Sequence, residues 1–158
     1  MLDLSKIKKY SYEPFEFGPI QTKWLEALES GKYKQGAGNL VQIYSGPQLT
    51  DNVAPPEDKY CCLGVLCEVA GLKRAEDGQG YIGQHGHSSN GYIPSGDTFG
   101  LNDAAGQFKQ MLCYVGETFS TLAGMNDQLS QDDSNFFSFA DIAAYIRHDP
   151  HNVFQASA

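Results

Sequence analysis

The chain predicts an α+β fold, one compact domain in which a small antiparallel sheet packs against a central, buried, cysteine-rich helix and two flanking helices. Three observations lead there. Residues 60–70 are apolar on nearly every side, with Glu68 the only charge, as expected of a buried helix. Two further segments, at about 20–30 and from 138 onward, carry apolar stripes at helical spacing. Between them lie short strand-like runs separated by glycine, proline and asparagine.

In chain order, residues 1–19 form an aromatic arm, with Tyr10, Tyr12, Phe15 and Phe17 alternating with polar residues. That alternation suggests an extended segment lying on the body, and Pro14 and Pro19 exclude helix from it. The domain proper spans 20–150. Its first helix starts near Thr22, stops at Gly31 and turns Ile20, Trp24, Leu25 and Leu28 toward the core, with Glu26 and Glu29 outward. A glycine-rich turn with Lys32 and Lys34 leads to a strand over Asn39–Tyr44, and a loop with Pro47, Pro55 and Pro56 reaches the cysteine helix, which ends at Gly71.

Residues 73–100 are polar, glycine-rich and irregular, with strand-like pieces at Tyr81-Ile82 and Tyr92-Ile93. Residues 107–115 suit either strand or helix, and 117–128 read as a short helix. The last helix has the clearest start. Ser138 caps, Asp141 stands at N3, and Phe137 precedes the cap as a staple. Phe139, Ile142, Ala143 and Ile146 face inward, Pro150 stops the helix, and 151–158 are a flexible tail.

Composition narrows the function classes. At 158 residues the chain needs neither disulfides nor a metal to support a core. A net charge of −8 opposes nucleic-acid binding through a basic face, since phosphate affinity comes from clustered Lys and Arg. The first residues lack the apolar core of a secretory signal, and no window approaches the roughly 18 apolar residues of a membrane span. The expectation is a protein of the cytoplasm with no membrane and no nucleic-acid partner. There the four cysteines are expected as free thiols, catalytic groups or metal ligands and not as a disulfide framework.

Three constellations carry possible chemistry. Cys61 or Cys62 at a helix N-terminus would be an activated nucleophile, with His85 or His87 as base and Asn126 or Asp127 as its orienter, as in a cysteine hydrolase or transferase. The apolar neighbours on every face make Cys62 and Cys67 small core hydrophobes, which leaves Cys61 as the reactive candidate. Cys61, Cys62, Cys67, Cys113, His85 and His87 are also zinc-type ligands, but no Cys-x-x-Cys spacing joins them, so neither a metal nor another cofactor is expected. Lys32, Tyr33 and Lys34, beside Gly36-Ala37-Gly38, suit an anionic ligand, and loop tyrosines Tyr81 and Tyr92 suit stacking on a base or a partner.

Four blocks, Lys23-Trp24-Leu25-Glu26-Ala27-Leu28 with Ser30–Gly36, Tyr60–Cys67, Leu122–Asp127 and Phe137–Ala143, resemble in order and spacing a widespread family of small accessory proteins encoded by bacteriophages and prophages. The resemblance runs from about 22 to 147. It departs in the middle, where that family places a tryptophan before the Asn-Asp block and this chain has only Trp24. What it implies is a host-takeover or anti-defence protein in the cytoplasm of the infected bacterium. Such a protein binds a host or defence protein, or sequesters a small anionic nucleotide-like ligand. No catalytic residues carry over from it. A homo-oligomer fits these features, and a virion-associated structural role is a further alternative.

Overall fold

The computed structural model describes residues 4–6, 9, 11–36, 40–42, 58–76, 80–83, 88–89, 112–114, 117–119 and 137–154. These form a mixed α+β arrangement of helices and small sheets. Among the described residues no helix is long and apolar enough to cross a membrane.

Helix α1 (Pro19–Glu29) begins at Gly18, whose backbone N–H donates to the side-chain oxygen of Gln21 at 2.9 Å. Pro19 thus ends the arm by starting the helix, at a position where its missing N–H costs nothing. Trp24, Leu25 and Leu28 are buried, and Gly31 closes the helix at φ +75°. Helix α2 (Cys62–Val69) is buried from Cys62 through Cys67. It ends in a Schellman motif around Gly71, φ +79°: the Leu72 N–H donates to the Cys67 carbonyl and the Gly71 N–H to that of Glu68, both at 3.1 Å. Helix α3 (Phe139–His148) starts in the expected capping box. The Asp141 N–H donates to Ser138 Oγ and the Ser138 N–H to Asp141 Oδ2, each at 3.1 Å.

Two helical placements differ from the sequence expectation. α1, and not the cysteine helix, occupies the middle of the helical layer and packs against both α2 and α3. Trp24, fully buried on α1, donates its indole N–H to the Cys62 carbonyl at 2.8 Å and fastens the two helices. Nor does the packed chain stop at 150. Pro150 opens a short helix, α4 (Pro150–Val153), and Val153 and Phe154 are buried, so the segment expected to be a tail from 151 contributes to the core. Phe154 stacks on Phe15 of the arm at 5.5 Å between ring centres and meets Phe17 and Trp24 edge-on. His151 Nε2 lies 2.9 Å from the Glu13 carbonyl oxygen and ties the same arm down.

The first sheet contains β1 (Lys34–Gln35), β2 (Val41–Gln42) and β3 (Lys59–Tyr60) in the order β1-β3-β2. β3 runs antiparallel to β2 and parallel to β1, so the sheet is mixed rather than purely antiparallel. β3 and α2 share a junction: the Cys61 N–H donates to the Leu40 carbonyl at 3.1 Å, and α2 starts one residue later. The stretch expected to be irregular holds a second, antiparallel sheet of β4 (Lys73–Arg74), β5 (Tyr81–Ile82) and β6 (Ser88–Ser89). β7 (Leu112–Tyr114) and β8 (Glu117–Phe119) pair antiparallel, which settles 112–114 as strand and replaces the start of the helix expected from 117.

Candidate functional site

The turn after α1 brings Lys32 and Tyr33 to the first sheet. The Tyr33 ring is half-buried and meets the Tyr60 ring edge-on at 5.2 Å, while Lys32 Nζ stands 5.5 Å from the Tyr33 ring centre. Tyr33 and Tyr60 thus form an aromatic step with a cation at its edge. Lys34 goes elsewhere. Side chains alternate along a strand, so in β1 Gln35 turns inward, its amide donating to the Phe137 carbonyl at 2.9 Å, while Lys34 is exposed. In β3, Tyr60 turns inward and Lys59 out. Lys34 and Lys59 are register partners on neighbouring strands and share one exposed face.

Behind Tyr60 lies a network that sequence reasoning missed. Arg74 on β4 donates to Asp58 at 3.0 Å and to the Tyr60 hydroxyl at 2.6 Å, and its Nε stands 3.7 Å from a Glu68 oxygen. Tyr81 on β5 donates its hydroxyl to the same Glu68 oxygen at 2.8 Å. One guanidinium therefore joins β3, the end of α2 and the second sheet. Burial, followed by the hydrogen bond to Glu68 and the negative charge there, pushes the Tyr81 hydroxyl well above the usual tyrosine range. Burial raises Tyr60 too, with Arg74 opposing. Burial works to lower Arg74, yet the hydrogen bond with Asp58 and its neighbours' charges outweigh that and raise it. Tyr81 has no exposed surface. It joins the second sheet to α2 and does not offer the stacking face the sequence suggested.

At the other end of α2, Cys61 is the N-cap, and its Sγ accepts the Gly64 N–H at 3.3 Å. The thiol thus stands where the sequence placed a nucleophile, yet it is buried, as are Cys62 and Cys67, and none of the three is in a disulfide. Of the other candidates, His85, His87, Asn126, Asp127 and Tyr92 lie outside the described residues, so the proposed Cys–His–Asp set is not brought together among those described. Among the described residues no group of three or more His, Cys, Asp or Glu side chains is arranged to hold a metal ion.

The first sheet thus carries exposed lysines and a half-buried pair of aromatic rings, and a hydrogen-bonded ionic network joins it to α2 and the second sheet. Lys59 carried no signal in the sequence, and Tyr60 was legible only as the first residue of the cysteine helix. Arg74, Asp58 and Glu68 carry no local signal, because their partnership is made by the fold. No protein-family model, no curated protein and no solved structure matches this chain.

Proposed function

We propose that this chain is an accessory protein of the bacteriophage kind its sequence resembles, a single compact domain that acts by binding in the cytoplasm of the infected bacterium. Its target is a host or defence protein, or a small anionic nucleotide-like ligand. The observation that carries this reading is the half-buried Tyr33–Tyr60 step with Lys32 beside it, and exposed Lys34 and Lys59 side by side on the other face of the same strands, in a chain whose net charge is −8. Paired lysines on an acidic protein favour an anionic partner, and the aromatic rings beside Lys32 add contact area at low entropic cost. The test is a pull-down from infected cells analysed for proteins and small molecules, joined to thermal-shift screening against nucleotides and cyclic dinucleotides. A ligand that binds the native state must raise the thermal midpoint. Failure to capture a partner together with failure of every nucleotide to shift the protein sinks the reading.

A second reading, a cysteine hydrolase or transferase, is favoured by one observation, the Gly64 N–H aimed at Cys61 Sγ. In that case His85 or His87 is the base and Asp127 its orienter. An activity-based thiol probe that labels Cys61 in the native protein, and is lost in His85→Ala or His87→Ala, would favour it over binding alone.

A further inference from the structure

We infer that the sheet face carrying Lys34 and Lys59 receives an acidic protein segment, an extended stretch with carboxylates at alternate positions. This rests on the binding reading above and names the class of partner for it. The two lysines are register partners in parallel β1 and β3, and both are exposed. Neither ammonium has a carboxylate within ion-pair distance among the described residues. Like charges side by side on adjacent strands destabilise a sheet, and an acidic chain has ample carboxylates to relieve such a pair. Protection of a sheet edge against aggregation accounts for a lysine on β1, the terminal strand. It does not account for Lys59, which lies on the middle strand between β1 and β2.

The spacing suits a peptide. Adjacent strands lie about 4.8 Å apart, and an extended chain presents alternate side chains on one face at roughly 6.6–6.8 Å. The flexible lysine stems take up the difference, so each ammonium meets one carboxylate. Because both lysines stand side by side on one exposed strand face, they suit an extended segment that crosses β1 and β3 over that face.

The test uses the full chain and a fluorescein-labelled peptide of alternating Glu and Thr, with an alternating Gln and Thr peptide of equal length as control. Fluorescence polarisation is expected to show binding of the acidic peptide only, weakening with added salt. Each exposed ion pair is worth a few-fold in affinity, so Lys34→Gln with Lys59→Gln weakens binding about tenfold. Lys23→Gln, an exposed lysine on α1, leaves it unchanged. A thermal midpoint unchanged or raised in the double variant, in which the like-charge pair is gone, shows that the loss is local. No binding of the acidic peptide, equal binding by the double variant, or binding of inorganic triphosphate in its place overturns the proposal. Repeating the pull-down from infected cells with the double variant separates the two readings. A partner kept by the double variant overturns this surface but leaves the binding function standing, whereas no partner for either protein removes the function itself.

Discussion

The carbonyl group of Leu40 occupies the space in which a side chain at Gly64 would begin. A Cβ at Gly64 would fall 2.6 Å from the Leu40 carbonyl carbon and nearer still to its oxygen. The same carbonyl accepts the Cys61 N–H, so strand and helix are held by one group that tolerates no added atom. Because the obstacle is backbone, no rotamer change relieves it. Gly64→Ala is expected to destabilise the fold by about 3 kcal/mol, at the upper end for an overpacked core. Urea denaturation checks it, and an unchanged midpoint would mean that Leu40 and α2 are not in contact.

Trp24→Phe tests the fastening of α1 to α2. Phenylalanine keeps most of the buried apolar contact with Phe154 but loses the indole N–H that donates to the Cys62 carbonyl. A lost buried hydrogen bond together with the volume removed amounts to about 2 kcal/mol. Chemical denaturation followed by circular dichroism is the measurement, and a change below about 0.5 kcal/mol would show that this bond does not stabilise the packing.

The phenol of Tyr81 makes stability fall at high pH. Its folded-state pKa is raised above the ordinary value of 10.0 by burial and by Glu68. Below that value the phenol is protonated in both states and its contribution is fully present. Above it the unfolded chain loses the proton while the folded one retains it, so stability drops as pH rises from about 10 upward. Tyr60, raised for the same leading reason, adds to the fall. Spectrophotometric titration of the folded protein should show at least these two of its nine tyrosines ionising late, together with unfolding. Tyr81→Phe should flatten part of the alkaline loss; an unaltered profile would show that Tyr81 is not the group responsible.

Much of the helical fold was legible because its signals are local. Ser138 and Asp141 three residues apart, Gly31 and Gly71 after the last apolar position, and the Trp24–Leu25–Leu28 stripe act within one or two helical turns. The sheets were less legible. Two-residue strands are too short to show a period, so the parallel pairing of Lys34 with Lys59 and the strand at Ser88–Ser89 have no sequence signature. At Glu117–Phe119 an apolar and polar mixture that suits a helix is recruited instead into a hairpin with Leu112–Tyr114. The site divided in the same way. Lys32, Tyr33 and Cys61 were found through their neighbours in the chain. Arg74 and Tyr60 come together only because the second sheet folds back onto the end of α2, and Tyr81, expected at the surface, is buried by the same movement of the chain.

Cys61 separates a structural thiol from a reactive one. As N-cap it supplies an acceptor to the Gly64 N–H, a task a serine hydroxyl performs at least as well and an alanine not at all. If that is its role, Cys61→Ser keeps the thermal midpoint and the capture of partners from infected cells, while Cys61→Ala lowers stability by about 1 kcal/mol and leaves capture intact. A nucleophile behaves otherwise, because the hydroxyl is a far weaker attacking group and function is lost in serine and alanine variants alike. Thermal denaturation and the infected-cell pull-down, run on both variants, distinguish the cases. Loss of function in Cys61→Ser with stability retained would favour a reactive thiol at the start of α2 over the proposed lysine face.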